Sequence, residues 1–153
     1  MVMSKELQQH IRKYLENIDL SRFIGVSLTM KQNVDGQLLD PLLSSQNLRH
    51  FMNLLNKKVY GNRFSRYGLK LQIFPVLENS AGDRLHYHLI VESPVDMDID
   101  RFNHIIHILW MTTRFGHREF HIDQTIDDGW TKYITKFHHT IDQVDWENVH
   151  LNS

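Results

Sequence analysis

Residues 73–92, Ile-Phe-Pro-Val-Leu-Glu-Asn-Ser-Ala-Gly-Asp-Arg-Leu-His-Tyr-His-Leu-Ile-Val-Glu, constrain this chain more than any other stretch. Two runs rich in β-branched and aromatic residues flank an Asn-Ser-Ala-Gly-Asp turn, which is the pattern of a β-hairpin. Side chains alternate between the two faces of a strand. His86 and His88 therefore share one face of the second run, and Leu85, Tyr87 and Leu89 share the other. Glu78 ends the first run, across the turn from the histidines. Two imidazoles and a carboxylate on neighbouring strands can converge on a divalent cation and leave coordination positions open. The other reading is a pair of ordinary surface histidines, since the chain has His 11.

The rest of the chain sets this hairpin in an α+β order. Leu7, Ile11, Tyr14, Leu15 and Ile18 form a helical stripe over residues 5–18, with Ser4 as cap. Residues 23–30 read as a strand, with Ile24, Val26 and Leu28 on one face and Gly25, Ser27 and Thr29 on the other. That second, small and polar face can lie under a ligand. Asn33-Val-Asp-Gly is a turn, and Pro41 closes a loop. Residues 45–60 have helical spacing, with Ser44 or Ser45 as cap and Gly61 as stop. Residues 62–68 read as a basic, aromatic loop, and the hairpin strands as 70–78 and 84–92. A helix follows through Ile99, Phe102, Ile105, Ile106 and Leu109, entered at Asp96 or Asp98, with His104 and His107 on its outer side. Residues 119–126 are a fourth strand and residues 130–140 a last helix, followed by a polar tail containing Trp146. The inner βαββαβ order is the split βαβ, or ferredoxin-like, pattern, flanked by an extra N-terminal helix and a C-terminal helix. Right-handed crossovers put the histidine strand in the middle of an antiparallel sheet, between the Ser27/Thr29 strand and the Glu78 strand.

At 153 residues, 41% hydrophobic and 23% charged, the sequence reads as a single globular domain, 1–153, with its core at about 20–140. Cys 0 excludes disulfides and thiolate metal sites and suits a cytoplasmic protein. No apolar run is long enough to span a membrane, and the first residues show no secretion signal. A net charge of −1 argues against nonspecific nucleic-acid binding by the chain as a whole. The charge is unevenly distributed, however. No Asp or Glu falls between Pro41 and Leu77, where Arg49, Lys57, Lys58, Arg63, Arg66 and Lys70 alternate with Tyr60, Phe64 and Tyr67. Such a stretch suits a phosphate backbone with bases to stack, and equally a solvated helix face and loop.

The last helix carries Tyr133 and Lys136, which at a spacing of three point the same way. An ammonium beside a phenol favours the phenolate, a nucleophile suited to phosphate diesters. The competing reading is an aromatic packing stripe of Trp130, Tyr133 and Phe137.

Taken together, these pieces resemble the HUH endonucleases, specifically the rolling-circle replication initiator (Rep) group. Phe-Ile-Gly-Val-Ser-Leu-Thr at 23–29 is similar to the first Rep motif, Glu78 with His86-Tyr87-His88 to the second, and Tyr133-Ile-Thr-Lys136 to the third. The motifs occur in the family's order and span about residues 20–140. Tyr87 stands where the family more often has an aliphatic residue. The resemblance implies that His86, His88 and Glu78 hold Mg²⁺ or Mn²⁺, and that Tyr133 attacks the scissile phosphate to leave a 5′-phosphotyrosine link, with Lys136 orienting the phosphate or the phenolate. It implies metal-dependent nicking and joining of single-stranded DNA or a hairpin origin, with a separate helicase and polymerase as partners. Ser27, Thr29 and the six basic residues above would contact the DNA. One alternative is a single-tyrosine transposase of the same superfamily, with a third metal ligand on the last helix. Another is an RRM-like binding module without catalysis, which needs an open sheet face bearing both Phe23 and Tyr87.

Overall fold

The structure, a computed structural model, describes residues 19–80, 84–123 and 143–152, with scattered positions before residue 19. Most of the expected N-terminal helix, and the whole of the expected last helix with Tyr133 and Lys136, lie outside the described residues. The elements are β1 (Phe23–Met30), β2 (Asn33–Val34), β3 (Gln37–Leu38), α1 (Pro41–Tyr60), α2 (Asn62–Tyr67), β4 (Ile73–Ser80), β5 (Arg84–Glu92), α3 (Ile99–Thr112) and β6 (Gly116–Asp123). Four strands form one sheet in the order β4-β5-β1-β6, and every pairing in it is antiparallel. The histidine strand β5 is central, with β1 on one side and β4 on the other, as the βαββαβ order predicts. The architecture is α+β and is compatible with a ferredoxin-like fold.

One sheet face is apolar and covered by helices. Ile24, Val26 and Leu28 of β1 and Tyr87, Leu89 and Val91 of β5 pack against Leu48, Phe51 and Leu55 of α1 and Phe102, Ile106 and Trp110 of α3. The α3 layer is fixed to the sheet by a hydrogen bond, since the Trp110 indole donates to the Thr29 carbonyl at 2.8 Å. On the other face, Phe23, Phe74, Val76 and Ile90 form a smaller cluster with Val144. The remainder of that face, toward the Ser80↔Arg84 pair, carries Glu78, His86, His88, Ser27 and Thr29.

Besides β4, which runs Ile73–Ser80 and not 70–78, four boundaries differ from the sequence reading. First, α1 begins at Pro41, because the Asp40 carboxylate accepts from the Leu43 N–H at 2.8 Å. Proline at the first helical position has no amide hydrogen to leave unpaired, so Pro41 opens the helix and does not close a loop. Second, residues 62–67 form a short helix, α2, closed by Gly68 at φ 68, a left-handed cap suited to glycine. Third, β6 starts at Gly116, three residues earlier than expected. Fourth, residues 143–152 are not a free polar tail. They lie along the outer edge of β4, with antiparallel bridges Val76↔Val144 and Ile73↔His150 around a 3₁₀ turn at Trp146–Asn148. The Asn33-Val-Asp-Gly turn is a small hairpin whose tip, Asp35 and Gly36, has φ of 52 and 83, the paired positive values of a tight two-residue turn. Among the described residues, no helix is long and apolar enough to cross a membrane.

Candidate metal centre

The strand register places the three residues of interest. Glu78 on β4 lies directly across from His86 on β5, and His88 is opposite Val76 and Ser27. Residues 78, 86 and 88 then point to the face opposite α1 and α3 by alternation alone. Their tips meet. His86 Nε2 is 3.2 Å from His88 Nε2. Glu78 Oε2 is 3.4 Å from His86 Nε2 and 3.3 Å from His88 Nε2. The rings meet edge to face, with centroids 4.9 Å apart. All three side chains are partly buried, and among the described residues they are the one group of three or more His, Cys, Asp or Glu side chains close enough to hold a metal ion.

The far nitrogens fix how the rings are presented. His86 Nδ1 lies 3.2 Å from the Arg84 carbonyl oxygen, which can only accept, so Nδ1 carries a hydrogen and the neutral ring turns its Nε2 lone pair into the cluster. His88 Nδ1 lies 2.9 Å from the Ser27 hydroxyl, which can accept from the same tautomer. A second group that orients each ligating imidazole is characteristic of metal-binding histidines.

The electrostatics fit a site that holds one positive charge. Hydrogen bonding to Glu78 raises the His86 pKa above that of an ordinary imidazole, against the opposing effect of burial. Burial lowers the His88 pKa, and the neighbouring His86 charge adds to that, while Glu78 opposes it. The two shifts run in opposite directions, so His86 takes a proton more readily than His88, and a cation would compete with protons for the same nitrogens. The spacing suits such a cation. Ligand atoms bonded at about 2.1 Å are separated by about 3.0 Å along an octahedral edge and about 3.4 Å along a tetrahedral one. The observed 3.2, 3.3 and 3.4 Å lie within that span. Two imidazoles and one carboxylate form a donor set that first-row divalent ions accept.

The other residues singled out in the sequence divide into two groups. Ser27 and Thr29 are on the cluster's face but are already engaged. Ser27 bonds His88, and Thr29 donates to the Glu119 carbonyl and lies 3.4 Å from His117 Nδ1. Arg49, Lys57, Lys58, Arg63, Arg66 and Lys70 all lie on α1, on α2 or just after it. These helices form part of the layer on the opposite side of the sheet, so the fold does not bring the basic residues to the cluster. Arg49 pairs with Glu147 at 3.8 Å, and the Arg63 guanidinium sits 5.5 Å from the Tyr60 ring centre.

Phe23 and Tyr87 do not share an open face. Their register partners put them on opposite faces, and they are 2% and 0% exposed. The Tyr87 hydroxyl donates to Asp145 at 2.7 Å, and burial, first, with that carboxylate raises its pKa far above the usual phenol value. Neither ring can stack a base from these positions. The sequence reading also missed His117, Glu119 and His121 as neighbours of the site. Ser27 pairs with His121 in register, which extends the polar face across β1 to β6. The alternation of Phe120 and Ile122 with polar residues from Gly116 onward was the available signal.

Comparison with protein-family models, with curated proteins and with solved structures gives no match. What the fold and site define is an α+β domain with a candidate two-histidine, one-carboxylate centre on the face of its sheet opposite helices α1 and α3.

Proposed function

We propose that this protein is a metal-dependent endonuclease of the HUH type, which nicks and rejoins single-stranded DNA through a tyrosine. The observation that carries this reading is the meeting of Glu78, His86 and His88 on the sheet face opposite α1 and α3, with the far nitrogen of each histidine beside a second group. Glu78, His86 and His88 would hold Mg²⁺ or Mn²⁺. When bound, the ion supplies a Lewis acid that offsets the negative charge growing on a scissile phosphate.

The chain's own residues would do the rest. The Tyr133 phenol loses its proton and its oxygen attacks phosphorus. The P–O bond to the 3′ side breaks, and the departing oxygen takes up a proton to become a 3′-hydroxyl. The 5′ side stays attached as a phosphotyrosine ester. Attack by a 3′-hydroxyl reverses the step and releases the tyrosine. Lys136, three residues on, would hold a phosphate oxygen or favour the phenolate. Tyr133 and Lys136 lie outside the described residues, and their roles rest on the similarity of Tyr133-Ile-Thr-Lys136 to the third Rep motif. Partners would be a single strand or a hairpin origin, and a separate helicase and polymerase.

Glu78 on the paired strand favours the replication-initiator form over the single-tyrosine transposase, because it completes three ligands without help from the last helix. The test is a labelled single-strand oligonucleotide library incubated with the protein and Mn²⁺. The expected result is a cleaved strand with a covalent protein adduct that is lost in Tyr133→Phe, in His88→Ala and in EDTA. Cleavage with an adduct that survives Tyr133→Phe would reassign the nucleophile. Binding without any cleavage would leave the chain a DNA-binding module.

A further inference from the structure

At the end of β4 remote from Glu78, a cleft of about 300 Å³ opens between the middle of α1, the start of β4 and residues 147–150. Five residues of strand, about 17 Å at 3.4 Å per residue, separate Ile73 at its floor from Glu78. The cleft is a different place from the metal centre. Its lining is more polar than apolar, and includes Arg49, Asn53, Lys70 and His150 beside the apolar Leu71 and Ile73. Two full cations face one carboxylate, Glu147, which is paired with Arg49 at 3.8 Å. That pair is weak, since both side chains are well exposed, 60% and 71%, and solvent screens them. Glu92, the other acid near His150, is engaged by Arg22 at 3.6 Å and by the Gln72 amide at 3.1 Å. The imidazole reports the field, because burial and then the Lys70 charge depress its pKa, with Glu92 opposing.

A cleft with a guanidinium fork, an ammonium and a carboxamide along its lining suits a phosphate monoester, which would displace Glu147 from its weak pair with Arg49. The volume is at the lower end of small-molecule sites, enough for one nucleotide unit. We propose that this cleft binds a phosphate monoester, either a free nucleoside monophosphate or the phosphorylated 5′ end of a DNA strand, with its phosphate between Arg49 and Lys70. The site stands whether or not the cluster on the far part of the sheet holds a cation.

The experiment is an NMR titration of the full chain, in EDTA, with dTMP and with matched oligonucleotides bearing a 5′-phosphate or a 5′-hydroxyl. A dianion in the cleft offsets the Lys70 charge, so the His150 imidazole should show a saturable shift and a raised pKa. Arg49→Ala and Lys70→Ala, both at exposed positions, should each weaken the effect about tenfold, whereas the exposed Arg101→Ala on α3 should leave it intact. Saturation by dTMP identifies the free nucleotide as ligand. Saturation by the 5′-phosphorylated oligonucleotide alone identifies the strand end. No saturable His150 response to either at about 1 mM, or a response unchanged in both cleft variants, overturns the proposal.

Discussion

Ser27 shows how much a single side chain can decide. Its hydroxyl lies 2.9 Å from His88 Nδ1, beneath a ring whose other nitrogen faces Glu78 and His86. Without it, the His88 ring loses the hydrogen-bond partner that holds its rotation. Ser27→Ala is therefore expected to lower Mn²⁺ affinity about tenfold, at the low end of what such supporting groups contribute. His88→Ala should abolish binding at the same metal concentrations. Isothermal titration with Mn²⁺ measures both, and equal affinity in Ser27→Ala and the wild type would mean that Ser27 does not orient the ring. At this scale the sequence was informative for the ligands, because alternation along one strand puts residues 86 and 88 on one face with no further knowledge. It was not informative for Phe23 and Tyr87. Whether two residues on neighbouring strands share a face depends on the register, and the pairing Leu28↔Tyr87 puts Tyr87 with the core of β1, opposite Phe23. A one-residue difference in register exchanges the faces.

Among elements, the junction from α3 into β6 is the most tightly specified. Asn47 of α1 is 7% exposed and Thr113 is 3% exposed, and they form a closed polar network. The Asn47 amide donates to Thr113 Oγ1 at 3.1 Å, and its carbonyl oxygen accepts from the Phe115 N–H at 3.1 Å. Thr113 Oγ1 also donates to the Trp110 carbonyl at 2.6 Å and accepts from the Gly116 N–H at 3.1 Å. Gly116 lies so close beneath the end of α3 that an added Cβ would overlap the Trp110 carbonyl oxygen. Gly116→Ala must push backbone against backbone. The expected cost is about 3 kcal/mol, the upper end of overpacking, read as a lower urea midpoint with an unchanged slope. A midpoint within experimental error of the wild type would show that the junction gives way freely. Sequence spacing found both long helices and all four sheet strands, because each has a periodic apolar face. It missed the starts of α1 and β6, which are set by a cap and a collision and not by periodicity. It also missed α2, which buries no residue and so leaves no apolar stripe to read.

For the whole molecule, the decisive feature is that residues 143–152 close the β4 edge while their side chains reach around both faces of the sheet. Val144 joins the cluster of Phe23, Phe74, Val76 and Ile90 on the face opposite the helices, and Trp146 meets Phe74 edge to face at 6.2 Å. Asp145 turns the other way. Its carboxylate accepts from the buried Tyr87 hydroxyl at 2.7 Å, from Ser45 of α1 at 2.9 Å and from the Asn148 amide at 2.8 Å. One residue thus ties the central strand, the first helix and the C-terminal segment together. The sequence showed only a polar stretch with one tryptophan, since a segment held by two bridges and one carboxylate has no period to detect. Asp145→Ala would leave the Tyr87 hydroxyl buried without its acceptor, at a cost of about 1–3 kcal/mol, and would loosen the cover on the β4 edge. In the Tyr87→Phe, Asp145→Ala double variant no hydroxyl is left stranded, so the double variant should be no less stable than Asp145→Ala alone. Mn²⁺ affinity should be unchanged in both variants, because Tyr87 and Asp145 lie on the helix side of the sheet and the cluster on the other. Urea unfolding and metal titration on the same samples separate the two effects. If Asp145→Ala matched the wild type in stability, the C-terminal segment would not be fastened through this carboxylate. If it weakened Mn²⁺ binding as much as Ser27→Ala does, the two faces of the sheet would be coupled through β5 itself.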